Sequence, residues 1–218
     1  MPSKYVVRTF EENAAFHVFH RGIEKRKVFV DKQDYDRFLK YVSIYLSPLD
    51  VILIKYPYLE IRLQAKNLSK EIDLIAFCLM PNHFHFLIFQ KSRDGISKFM
   101  KQLLNGYTKY FNRKYDRAGN LFEGRFKAVS VKDDELMLHI SRYIHLNPLV
   151  AGLTEDVYGF PWSSLQYYTN KTRVQSIDFL STDLVLSKFK KEKDYRNFID
   201  NQKDYAKELS RVKNLTID

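Results

Sequence analysis

The sequence predicts an α+β domain containing an antiparallel hairpin. Three observations carry that expectation: a strand ending in glycine leads into an amphipathic helix, two apolar runs are joined by a proline turn, and two later stretches repeat apolar residues at helical spacing.

The elements follow in chain order. "AAFHVFHRG", residues 14–22, reads as a strand closed by Gly22, and "DKQDYDRFLKYVSIYL" as an amphipathic helix beginning near Asp31. Residues 50–67, "DVILIKYPYLEIRLQAKN", show strand-like alternation, although Pro57 rules out an uninterrupted central strand. "IDLIAFCLM" and "HFHFLIFQ" are two strands joined through "MPNH", and so predict a hairpin. From Gly95 to about Arg113, Ile96, Phe99, Met100, Leu103, Leu104, Tyr107, Tyr110 and Phe111 recur at helical spacing, with Gly106 a local weakness; this second helix has one basic side. "KYDRAGN" is a loop into "LFEGRFKAVSV", read as extended. "DDELMLHISRYIHLNP" opens on capping aspartates and closes at Pro148 as a third helix. Beyond Lys171 the composition turns charged and mixed in sign. Residues 1–170 are therefore expected to form the main domain and 171–218 a helical C-terminal extension.

Composition limits the function classes. With 218 residues, 45% of them hydrophobic, the chain can bury a sizeable core. No stretch approaches the roughly 20 apolar residues of a membrane span, and "MPSKYVVRTFEEN" lacks the apolar block of a secretory signal, so a cytoplasmic protein is expected. Cys78 is the only cysteine, which excludes an internal disulfide and a cysteine-based zinc site; it reads as a small core residue. The net charge of +10 points to a polyanionic partner. Most of the excess lies in residues 98–132, where Lys98, Lys101, Lys109, Arg113, Lys114, Arg117, Arg125, Lys127 and Lys132 face only Asp116 and Glu123.

Two places carry chemistry. Residues two apart on a strand share a face, so His83 and His85 present two imidazoles within about 7 Å while Phe84 points away. Such a pair can chelate one metal ion, or one ring can cap a turn while the other is partly exposed. Two histidines do not define a site. On the third helix Tyr143 and Asn147 are four apart, which puts a phenol and a carboxamide on one face about one turn from each other, with His139 one turn earlier. A boundary aromatic and a capping asparagine would look the same.

These residues resemble a family. "MPNHFHFLIF" matches the histidine-hydrophobic-histidine (HUH) motif, and "FKAVSVKDDELMLHISRYIHLNPLVAGL" with "YGFPWSSLQYY" is similar to the single-tyrosine HUH transposases of the insertion-sequence-200 type, especially the REP-associated tyrosine transposases. "FHVFHRG" and "LFEGRF" extend the likeness over roughly residues 10–168. The resemblance implies a ferredoxin-like antiparallel sheet with helices packed on one face. It implies Tyr143 as nucleophile, and His83, His85 and Asn147 as ligands of a divalent cation, Mg²⁺ or Mn²⁺. Asparagine rather than glutamine at the third-ligand position favours the REP-associated branch. The implied reaction is cleavage and rejoining of single-stranded, hairpin-containing DNA through a 5′-phosphotyrosine link, in a nucleoid-associated monomer or homodimer.

A free phenol has a pKa of about 10 and is mostly protonated at neutral pH, so such a nucleophile needs help from a base or a cation. Lys98, Lys101, Lys109, Arg113, Lys114, Arg125 and Lys127 would bind DNA phosphates, with Tyr107, Tyr110, Phe111 and Tyr115 available to stack on bases or to pack internally. Residues 50–70 look longer than the family's usual connection, and the tail matches nothing recognised. A non-catalytic DNA- or RNA-binding regulator and a metal-dependent nuclease that forms no protein-DNA link are the alternatives.

Overall fold

The structure, a computed structural model, describes residues 7, 9–169 and 177–201. Four strands, β1 (Ala14–Arg21), β2 (Ile72–Met80), β3 (His83–Gln90) and β4 (Lys127–Val131), form one antiparallel sheet in the order β2-β3-β1-β4. The expected hairpin is the β2–β3 pair, in which Cys78 faces His85 and Met80 faces His83.

Alternation along the strands assigns each side chain to a layer. Phe16, Val18, Phe77, Phe84, Phe86 and Ile88 point to one face, where they pack with α1 (Lys32–Leu46) and α4 (Gly95–Lys114). Ala15, Ala76, Cys78, Met80 and Leu87 point to the other, which is covered by α5 (Asp134–Val150). The α+β class and the antiparallel sheet are as expected. The placement of all helices on one face is corrected: α1 and α4 share a face, but α5 lies on the opposite one. The reason is visible in the strands, whose second face is also apolar and would otherwise meet water.

Residues 50–67 also depart from expectation, forming α2 (Leu49–Lys55) and α3 (Ile61–Gln64) instead of strand. The edge strand β2 offers them no place, because Leu74 bridges Leu180 and Cys78 bridges Ser163 along it. Pro48 starts α2, Asp50 lies in its first turn, and the Tyr56 N–H closes it onto the Ile52 carbonyl. Of "LFEGRFKAVSV" only Lys127–Val131 is strand. The third helix runs through Pro148 to Val150; at the last turn proline removes one hydrogen bond, and the Ala151 N–H still reaches the Asn147 carbonyl.

Helix α1 begins with the predicted Asp31 cap, whose side chain accepts from the Asp34 N–H. Asp34 is fully buried and accepts from the Val30 N–H at 2.8 Å, Lys114 Nζ at 2.8 Å, Tyr115 Oη at 2.8 Å and Tyr110 Oη at 3.0 Å. Burial pushes its pKa up, but Lys114 and these hydrogen bonds outweigh burial and hold the carboxyl below its ordinary range. Asp34 thus ties the start of α1 to the end of α4. Asp34→Ala should cost about 3 kcal/mol, because it strips a buried carboxylate from its partners, and urea unfolding measures the loss.

The described part of the C-terminal extension packs on α5. Beyond α6 (Leu165–Thr169) and α7 (Asp183–Leu186), α8 (Glu192–Asp200) places Tyr195 Oη 2.7 Å from His145 Nδ1. Arg142, nearly all buried, donates to the Phe198 carbonyl and lies 4.1 Å over that ring. Residues 202–218 of the expected helical tail lie outside the described residues. Among the described residues no helix is long and apolar enough to cross a membrane.

Candidate active site

The pleat of β3 points His83 and His85 towards α5, with ring centroids 4.9 Å apart and planes at 88°. His85 is fully buried and His83 nearly so. Burial first, then the neighbouring His83 and His17, hold the His85 pKa well below its ordinary 6.5, so the ring is neutral at physiological pH and carries one N–H and one lone pair.

Each ring is held at Nδ1. His83 Nδ1 lies 2.7 Å from Asn82 Oδ1, and a carboxamide oxygen only accepts, so Nδ1 is the donor and the lone pair of a neutral His83 is on Nε2. Asn82 is itself anchored by its amide, which donates to the Lys25 carbonyl. His85 Nδ1 lies 3.0 Å from Nε2 of His17, a buried residue of β1 whose ring stacks at 5.1 Å and 20°. His85 Nε2 is buried with no hydrogen-bond partner among the described residues.

Helix α5 brings Tyr143 onto this pair. Its ring stands edge-on to His85 with centroids 5.5 Å apart, and 5.9 Å from His17; the residue is 4% exposed. Asn147 follows one turn later on the same side, buried, and its Nδ2 has no hydrogen-bond partner among the described residues. A carboxamide presents its oxygen instead by a half-turn about its last bond. His139, one turn earlier, lies against Arg142 and Phe198 in the seat of α8.

Among the described residues no group of three or more His, Cys, Asp or Glu forms a metal cage. Two imidazoles with a carboxamide make a sparser set, one suited to a cation that keeps positions for water and phosphate oxygen. The orphaned His85 Nε2 fits that role.

The predicted DNA-binding bases separate into two groups. Lys98, Lys101, Lys109, Arg113 and Lys114 line a groove of about 1150 Å³, joined there by Arg37 of α1 and by Arg62 and Lys66 in and beyond α3, with Glu60 the only acid among its described lining residues. Because α1 and α4 cover the other face, this groove lies across the sheet from Tyr143. Lys114 is engaged by Asp31 and Asp34, and Lys98 by Glu71 at 2.9 Å. Lys127 is in register with Phe19, which is in register with His85, so Lys127 projects from the tyrosine-bearing face; Arg125 is exposed in the preceding loop. Tyr107 and Phe111 are buried in the core, so neither is available for stacking on bases. The hydroxyls of Tyr110 and Tyr115 donate to Asp34.

Sequence reasoning missed His17, Asn82, Arg37, Arg62 and Lys66. His17 and Asn82 stand inside motifs that were legible, "FHVFHRG" and "MPNH". What was not legible was the partner of each.

The sheet carries a histidine pair beneath a tyrosine-bearing helix, and comparison with known proteins supplies the class. Residues 11–147 match the family model described as "Transposase IS200 like". The chain belongs to that family of transposases. A Haemophilus influenzae protein bearing the name REP-associated tyrosine transposase is 26% identical over 102 residues, 42% of this chain and 58% of that protein, so the chain spans little more than half the length of this relative. A solved structure described as a REP-associated tyrosine transposase bound to a REP hairpin superposes with a TM-score of 0.51 at 15% identity, covering 80% of this chain and 90% of the other; what the two share at that identity is the fold.

Proposed function

We propose that this chain cleaves and rejoins single-stranded, hairpin-containing DNA, with Tyr143 as nucleophile and His83, His85 and Asn147 as ligands of a divalent cation. The observation that carries the reading is the meeting of Tyr143 with His85 and His17, brought together from α5, β3 and β1 of one chain.

In the proposed reaction the Tyr143 oxygen attacks a backbone phosphorus, and the bond from phosphorus to the 3′ oxygen breaks. The phenol gives up its proton, the departing 3′ oxygen gains one, and the 5′-phosphate stays linked to Tyr143. That link keeps the energy of the broken ester, so a second 3′-hydroxyl can attack it and rejoin the strand. A bound Mg²⁺ or Mn²⁺ would polarise the phosphoryl oxygen and stabilise the developing alkoxide. Phe19 and Leu87, both buried, are apolar neighbours of His17 on this face.

DNA is held apart from the chemistry in this reading. The groove lined by Arg37, Lys101, Lys109 and Arg113 takes the phosphates of a hairpin, while Lys127 stands on the tyrosine side. The test is a denaturing gel. With hairpin-containing single-stranded DNA and Mn²⁺, the wild type should give a protein-DNA adduct that survives denaturation, and Tyr143→Phe should give none. Cleavage without an adduct would favour a water-using nuclease, and hairpin binding with neither product would favour a regulator.

A further inference from the structure

We propose that His17 is a positioning residue that accepts the Nδ1–H of His85 and thereby leaves the Nε2 lone pair of that ring for a divalent cation. The inference rests on the cation reading above and concerns a residue outside the ligand set.

Two arrangements are open to the pair. The 3.0 Å contact between His17 Nε2 and His85 Nδ1 makes one nitrogen the donor and the other the acceptor. If His17 donates, the proton of His85 sits on Nε2, which is buried and has no acceptor to meet among the described residues. If His85 donates, the His17 proton sits on Nδ1 and the His85 Nε2 lone pair is left for a cation; the two arrangements are alike in hydrogen bonding, and only this one offers the cation a ligand.

The neighbouring ring supplies an internal comparison. Asn82 Oδ1 can only accept, and it fixes His83 as the Nδ1–H tautomer. In the second arrangement His17 does for His85 what Asn82 does for His83, and both rings then offer Nε2. Ligating histidines characteristically donate the other ring N–H to a fixed acceptor, which orients the ring and makes it a stronger donor to the metal. The fold holds the His17 ring in place against His85. It is fully buried on β1, directly opposite Leu87 and Val129, with Phe19 and Tyr143 against its ring.

The experiment uses the full chain without DNA. Nitrogen-15 NMR of the histidine rings reads the tautomer of His85 in the wild type with and without Mg²⁺, and Mn²⁺ titration followed by electron paramagnetic resonance reads affinity. His85 should be protonated at Nδ1 in the Mg²⁺-saturated protein. His17→Phe, which keeps a buried ring but removes the acceptor, should weaken Mn²⁺ binding by about tenfold or more, and His17→Gln, which restores an acceptor oxygen, should recover part of it. Circular dichroism checks that both variants are folded. Finding the His85 proton on Nε2 in the Mg²⁺-saturated wild type would overturn the inference, and so would wild-type Mn²⁺ affinity in a folded His17→Phe. If the wild type took up no Mn²⁺ at all, the cation reading would fall as well, and that result is distinct from either of the others.

Discussion

His85→Ala should lower the rate of adduct formation by about a thousandfold or more while leaving hairpin affinity close to that of the wild type. The magnitude follows from the several kcal/mol that a cation contributes to a phosphoryl transfer, with each 1.36 kcal/mol worth a factor of ten in rate. The separation of the two effects follows from geometry: His85 is buried beneath α5, and the groove of Arg37, Lys101, Lys109 and Arg113 lies across the sheet. The complementary variant is Lys101→Glu with Lys109→Glu. It should weaken hairpin binding and reduce the slope of log affinity against log salt by about 2, close to one for each phosphate that is no longer neutralised. Fluorescence anisotropy across a salt series measures both, and circular dichroism checks that His85→Ala is folded. Collapse of hairpin affinity in a folded His85→Ala protein would mean that recognition and cleavage share one surface, contrary to the reading above.

How far the sequence alone could go is seen best at single residues. The pairing of His83 with His85 and that of Tyr143 with Asn147 were legible because each depends on one local period, two residues for a strand and about four for a helix. Asp31 was legible as a cap for the same reason. His17 was not, because its significance lies in a contact with His85, 68 residues away, and that contact depends on the register of β1 against β3. The groove escaped in part because Arg37, Arg62 and Lys66 reach it from elements other than α4, the helix that displayed its charge openly. Residues 50–67 misled because a short apolar run does not distinguish strand from helix. There the outcome was decided by a competitor for the edge of β2, and in α2 only Ile52 is buried. Charge also overstated Lys114: its ammonium serves Asp31 and Asp34, a pairing across the chain that composition does not reveal.

The seat of the tyrosine helix leads to the other large effect. Tyr195→Ala should destabilise the protein by about 4 kcal/mol, in the range for removing a fully buried aromatic ring. The ring packs against Tyr168 at 4.9 Å and Phe189 at 5.3 Å, and the hydroxyl meets His145 Nδ1 at 2.7 Å and Ser141 Oγ at 3.1 Å. Burial pushes the His145 pKa down to about 3, so this imidazole is neutral and needs one partner for its N–H and another for its lone pair; Ser164 Oγ, 2.7 Å from Nε2, is the second. Tyr195→Phe isolates the hydroxyl: it keeps the ring and leaves His145 Nδ1 buried without its partner, for a loss of about 1–3 kcal/mol. Ser141 and His145 flank Tyr143 in α5, and so the C-terminal extension forms part of the wall that holds this helix in place. Urea denaturation of the two variants and of a chain ending at residue 176 therefore asks whether the extension is integral to the site. All three should unfold at lower urea than the wild type, the phenylalanine variant least affected. A chain ending at residue 176 that kept the wild-type midpoint would show that α5 is seated by the sheet alone.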